Sequence, residues 1–283
     1  YESRDYECLL FNYNNEFFKD INFRKAIISS INKDKILEEG YINNATLVNF
    51  PLNSKSKYYD KDIKTLEYSK EKAKKYLSEV TNIDKNTKNN KNTVQDLNKS
   101  NLETNNKKDN ITDNETTTKE DKEKVIKEQI SKLNLKIIVN KDNPERKKSA
   151  YIISDNLKDI GIKNTIEELS IEDMNKALNE KNYDLALVGW ELSLVPDATN
   201  ILESIGYEDE KLTNYINSLK NATTESQIRD IYKSIQKYVN ENALFMNLVI
   251  RYDYIVTNRR IEGKISPNSF DIYEGITNLD IAK

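Results

Sequence analysis

The sequence contains no histidine. That removes the commonest general base, the usual zinc ligand and any Ser-His or Cys-His nucleophilic pair. It contains one cysteine, Cys8, so no disulfide can close within the chain and no thiolate cluster can form. Cys8 lies in an apolar run with Leu9, Leu10 and Phe11, which predicts an inert buried thiol. Glycine and proline are scarce, 6 and 4 in 283 residues, and none of the glycine-built phosphate or nucleophile motifs occurs: no P-loop, no G-x-G-x-x-G, no G-x-S-x-G. No metal-ligand spacing is present, and no cofactor is expected. No apolar run approaches the length of a membrane span, and no signal peptide is visible. The chain opens on Tyr1 rather than Met, as a processed or excised piece would. Charge of one sign is also missing. The 44 basic and 47 acidic residues leave a net charge of −3, which favours neither nucleic acid nor the behaviour of an acidic tail.

What is present is polar. Hydrophobic residues make up 37% and charged residues 32% of the chain, too polar for one uniformly packed globule. The excess is concentrated in residues 83–121, mostly Asn, Lys, Thr, Asp and Glu without proline, glycine or aromatics. Such a stretch cannot bury enough surface to offset its ordering entropy, so it reads as a solvated insertion. The chain therefore divides into a discontinuous body, 1–82 and 122–257, an insertion, 83–121, and a loop-rich end, 258–283, holding Gly263, Pro267 and Gly275.

Periodicity places the elements. Tyr6 to Asn12 reads as a buried strand. Asp20 and Asn32 cap two short helices, and Ser69 opens a third with Ala73, Tyr76, Leu77 and Val80 on one face. Helical pattern resumes at Lys122. Leu135–Val139 is a strand, Asn143-Pro144 starts a helix, and Gly161 stops it. Ile162–Ile166 is a strand, Ser170 and Asp173 open a helix, and Asp184–Trp190 is the next strand. Two more helices follow, the second headed by Thr224 and Gln227, and then a strand, Leu244–Ile250. This β-α-β-α-β alternation predicts an α/β layer sandwich.

The most informative stretch is Tyr183–Asp197, YDLALVGWELSLVPD. Leu185–Val188 is a continuous apolar run, the pattern of a strand covered on both faces. In open α/β sheets ligands sit beyond the carboxyl ends of such strands. The run delivers the only tryptophan, Trp190, to that edge, where it serves either a cleft or the end of the core. Asp197 reads as an anchor for an amine or as a helix cap. Asn12, at a strand end, can bond ligand backbone or hold a crossover. Arg24 reads as structural, paired with a nearby acid. Most of the 17 tyrosines fall on helical stripes, but Tyr58 and Tyr59 lie in a loop and are ligand candidates.

Five segments in order resemble the peptide and nickel class of extracellular solute-binding proteins that serve ABC importers. LLFNYNNEFFKDINFRKAI (9–27) is similar to its "strand, Asn, F-x-D-x-x-x-R-x-A-I" segment. YSKEKAKKYLSE (68–79) is similar to its "D-x-x-K-A-K-x-L-L" helix, with Ser69 in place of Asp. NLKDIGIKNTIE (156–167), NYDLALVGWELSLVPDA (182–198) and IYKSIQKYVNENALFMNL (231–248) fit three further landmarks. The resemblance covers the family's C-terminal half. It implies a type II periplasmic-binding-protein-like lobe, a mixed sheet flanked by helices with a long polar insertion, whose last residues return to a missing N-terminal lobe. It also implies a binding protein rather than an enzyme. Such a protein captures a peptide or similar small solute between two lobes, outside the cell. It is lipid-anchored through a part not in this chain, and it delivers the solute to a membrane permease. Peptide-binding members place an aspartate a few residues after the Gly-Trp pair. Ser193 stands near that place here, so Asp197 or Glu191 would substitute, or the ligand lacks a free amine. The implied ligand-binding set is Trp190, Asp197, Glu191, Ser193, Asn12, Tyr58 and Tyr59. The missing aspartate also leaves open a degenerate lobe used as an interaction or sensory module.

Overall fold

The computed structural model describes residues 1–81 and 119–282; the insertion predicted at 83–121 lies almost entirely outside them. Six strands form one sheet: β1 (Glu2–Phe11), β2 (Ala45–Leu47), β3 (Asn134–Asn140), β4 (Lys163–Leu169), β5 (Leu185–Glu191) and β6 (Met246–Tyr252). Their spatial order is β2-β6-β1-β5-β3-β4. β3 runs parallel to β4 and β5, whereas β1 is antiparallel to both β5 and β6, and β2 is antiparallel to β6. The carboxyl ends of β3, β4, β5 and β6 therefore share one edge, here the upper edge. β1 enters the sheet from that edge. A two-stranded ribbon, β7 (Ile261–Glu262) with β8 (Asp280–Ile281), stands apart in the last segment.

Nine helices accompany the sheet among the described residues: α1 (Ile21–Ser30), α2 (Lys33–Lys35), α3 (Lys70–Ser78), α4 (Lys119–Lys132), α5 (Pro144–Asp159), α6 (Ile171–Asn179), α7 (Thr199–Ser204), α8 (Glu210–Asn221) and α9 (Glu225–Glu241). α4 begins three residues before the helical pattern becomes legible at Lys122. Several starts follow local chemistry. Asp20 accepts from the amides of Asn22 and Phe23, Ser69 from Lys72, Asn143 from Arg146 and Ser170 from Asp173. Each satisfies backbone donors that the first turn leaves without partners. Gly161 ends α5 with a left-handed φ of 89°, a conformation that costs glycine little.

Strand alternation divides the core in two. Tyr6, Cys8 and Leu10 of β1 and Ala186 and Val188 of β5 face a layer supplied by α6, α7, α8 and α9. Leu9, Phe11, Leu185 and Leu187 face the opposite layer, supplied by α1, α3 and α5. The result is a mixed sheet covered on both faces, as the uninterrupted apolar run of β5 requires. Cys8 is fully buried and unbridged, and burial pushes its thiol pKa up, so it is inert. The Arg24 guanidinium donates to the carbonyls of Phe18, Lys19 and Asn242 and lies over the rings of Tyr13 and Tyr207 at 5.7 and 5.5 Å. These carbonyl and ring contacts, rather than a carboxylate alone, hold it in place.

Candidate functional site

β5 ends at the upper edge on Gly189 and Trp190. A methyl group at Gly189 would lie 2.2 Å from Arg146 Nη2, 2.8 Å from the Tyr6 carbonyl and 2.9 Å from Glu7 Oε2. The glycine is there because a buried ion pair crosses the sheet above it. Arg146, in the first turn of α5, donates to Glu7 of β1 through Nε at 2.5 Å and Nη2 at 3.1 Å. The Glu7 side chain is 3% exposed. Burial raises its pKa, and the guanidinium opposes that shift. Breaking such a pair by removing one partner leaves an uncompensated charge.

Trp190 is half-buried and packs against the core under α6 to α9. It also lines a groove of about 360 Å³, with Arg146, Asn140, Asn175, Met174 and Leu178 around it. Glu191, next along, pairs with Arg4 of β1. The chain then turns away through 192–198. Ser193 is exposed in that loop. Asp197 accepts from the Thr199 amide at 2.9 Å, tying the start of α7, while its residue stays exposed.

A second cavity, about 320 Å³, lies between this loop and residues 51–57. Its walls are mostly apolar, with Pro51, Leu52, Leu192, Leu194 and Pro196, and Phe270 of the last segment reaches it. Polar groups enter at Asn53, Lys55, Ser56, Ser193 and Asp197. Apolar walls carrying a few convergent polar groups are the usual make-up of a small-molecule site. The structure thus brings Ser193 and Asp197 together at one cavity, with Trp190 and Glu191 just before them on β5.

The other three sequence candidates lie elsewhere. Tyr58 stacks on Tyr232 with ring centroids 5.6 Å apart, and its carbonyl accepts from Gln236. The Tyr59 hydroxyl accepts from the Asn49 amide at 2.8 Å. Both support the 51–57 wall from behind. Asn12 is at the lower edge, because β1 runs against β5. Its amide donates to the carbonyls of Lys181 and Tyr183 at 2.8 and 2.5 Å, holding the turn that enters β5.

Sequence reasoning did not reach Glu7, Arg146, Glu2 or Arg4. A glutamate between Tyr6 and Cys8 is a charge inside a buried strand, which signals a partner. The partner, 139 residues away, leaves no local mark.

Comparison with known proteins agrees with this architecture. The family model described as "Bacterial extracellular solute-binding proteins, family 5 Middle" matches residues 1–213. The oligopeptide-binding protein AppA of Bacillus subtilis is 22% identical over 281 residues, covering 95% of this chain and 45% of its own length. The structure of Bacillus subtilis AppA in complex with a nonapeptide superposes with a TM-score of 0.69 at 20% identity, over 100% of this chain and 52% of that one. The ABC transporter substrate binding protein CtaP of Listeria monocytogenes gives 0.72 at 16% identity, over 100% and 51%. The chain spans about half the length of these relatives. With three-quarters of its residues inside the family model, the chain belongs to the bacterial extracellular solute-binding proteins of family 5.

Proposed function

We propose that this chain is the C-terminal lobe of the solute-capturing component of an ABC importer, and that it supplies half of a site closed by a second lobe. The observation that carries this reading is the cavity at the upper edge. It lies where α/β sheets hold ligands, and the groove lined by Trp190 reaches the same edge from lower on the sheet, past Lys181 and Tyr183. A peptide or similar small solute fits its apolar walls and scattered polar groups. Ser193 and Asp197 would meet the solute's polar ends, Trp190 and Glu191 its flanks, and Tyr58 and Tyr59 would brace the wall.

The last segment supports a two-lobe arrangement. Tyr254, Val256, Phe270, Tyr273 and Ile281 are each more than 60% exposed, an apolar concentration that marks a contact surface. A preceding lobe is its natural occupant, because the relatives are about twice as long. Hinge closure of the two lobes would then bury the solute, outside the cell, before delivery to a membrane permease. The protein's lipid anchor would be carried by a part outside this chain.

The test uses the full-length protein and a pool of random penta- to nonapeptides. Calorimetry should show micromolar binding, and the melting temperature should rise with peptide concentration, as linkage requires. The absence of both heat and a melting shift with every peptide class would remove the peptide reading.

A further inference from the structure

The first four residues grip both walls of the 320 Å³ cavity. Glu2 is 7% exposed. Its carboxylate accepts from the Ser54 amide at 2.9 Å and from the Ser54 hydroxyl at 2.6 Å. Ser54 sits in the middle of the 51–57 wall. Arg4, two residues on, serves the opposite wall. Its guanidinium donates to the Leu192 carbonyl at 3.2 Å and pairs with Glu191, and its own carbonyl accepts from the Leu192 amide at 2.8 Å.

The same stretch is bound to the segment that leaves the sheet. The Asp253 amide donates to the Tyr1 carbonyl at 2.9 Å, and the Tyr1 nitrogen donates to the Asp253 carbonyl at 2.9 Å. Glu2 stands opposite Tyr252, and the register of β1 on β6 slips between Glu2 and Tyr6. Residues 1–4 are thus set off from the regular ladder below them. They are held to the outgoing strand on one side and to the cavity walls on the other.

We infer that Glu2 and Arg4 are positioning residues that yoke the two cavity walls to the paired strands at 1–2 and 252–253. A swing of those strands then changes the width of the cavity. The chemistry suits the task. A buried carboxylate needs donors, and Ser54 provides two from one residue; charge-assisted bonds of this kind are about twice as strong as neutral ones. The loop at 51–57 has no ladder of its own to hold it. That the cavity receives solute is the reading given above, and the yoke rests on it; the experiment below needs no solute and so fails or succeeds independently.

Hydrogen exchange is measured on the full-length protein without peptide. Glu2→Met, which keeps the length of the side chain and removes its acceptors, should speed exchange of amides 53–57 at least tenfold and leave 192–197 unchanged. Arg4→Met should do the reverse, by about threefold, since the main-chain bond from Leu192 remains. Glu2→Gln should restore most of the protection, because its amide oxygen still accepts from the Ser54 amide. Spin labels on cysteines placed at 55 and 194 should give a broader distance distribution in Glu2→Met than in the parent. Unchanged exchange at 53–57, equal acceleration across the whole sheet, or an unbroadened distance would each overturn the yoke. Should Glu2→Met fail to fold, Ser54→Ala removes one donor only; it should still loosen 53–57, and full protection there would equally overturn it.

Discussion

Gly189 shows how one missing methyl group organises the upper edge. The Glu7–Arg146 pair occupies the space where its side chain would be, with three atoms inside 3 Å of the added carbon. Two of the three obstacles are a backbone carbonyl and a buried carboxylate, which cannot swing away as a surface side chain could. Gly189→Ala should therefore lower stability by about 3 kcal/mol, the upper end of the usual overpacking cost, read by urea unfolding. A loss under about 1 kcal/mol would mean that the pair relaxes freely and is not tightly held. Trp190, its neighbour, serves core and groove together. Trp190→Ala in the full-length protein should weaken peptide binding by about 1–3 kcal/mol, with a smaller loss of stability because the ring is half-buried. Unchanged affinity with a large fall in melting temperature would assign the ring to the core alone. Lys33 is a third case. Its ammonium contacts Asn49 Oδ1 at 3.2 Å, and burial lowers its pKa. The unfolded chain then holds the proton more tightly than the folded one. Stability should rise as pH climbs towards the ordinary lysine value, where the penalty on the charged form is relieved. Lys33→Met should raise the melting temperature at pH 7, and its advantage over the parent should shrink at alkaline pH. A pH-independent difference between the two would show that burial of the charge is not the cause.

At the scale of elements, what was legible was local. α9 announces itself by Thr224 and Gln227, and both halves of that capping box are formed. Thr224→Ala should cost about 1 kcal/mol and speed amide exchange in the first turn of α9; an unaffected first turn would show that helix packing alone fixes this end. The starts of α1, α3, α5 and α6 were readable for the same reason, since a cap acts over three residues. β2 was not readable. It is three residues long, too short to display alternation, and it exists because Ala45–Leu47 pairs with β6 some 200 residues later. α7 was missed too. It has six residues, and its N-cap, Ala198, contributes no side-chain bond. The same division runs through the site. Trp190, Ser193 and Asp197 could be placed from one contiguous strand and loop. The wall facing them, 51–57, and its tie to Glu2 arise from tertiary folding that no spacing records. The place of Asn12 at the lower edge was not legible, because nothing in the sequence states that β1 runs against β5.

For the whole molecule, the proposed two-lobe site predicts that this chain alone binds weakly. Tight sites bury most of their ligand, and a peptide on this chain alone would keep one side in water. Calorimetry of the isolated 283 residues with the peptide pool should show nothing tighter than roughly millimolar, about −4 kcal/mol, whereas the full-length protein should bind in the micromolar range. Micromolar binding by the isolated chain would place the complete site within this lobe.

The bonds between Tyr1 and Asp253 have a consequence for how such a body can be moved between proteins. Entry and exit points stand side by side, so residues 1–253 close on themselves like a loop with its ends pinched together. A host chain can accept the body at a single surface turn without its own path being stretched. A short peptide joining 253 to 1 should likewise allow new ends to be cut elsewhere, for instance in an exposed turn, with the sheet order retained. A body tied in this way would transfer by insertion rather than by fusion at a terminus.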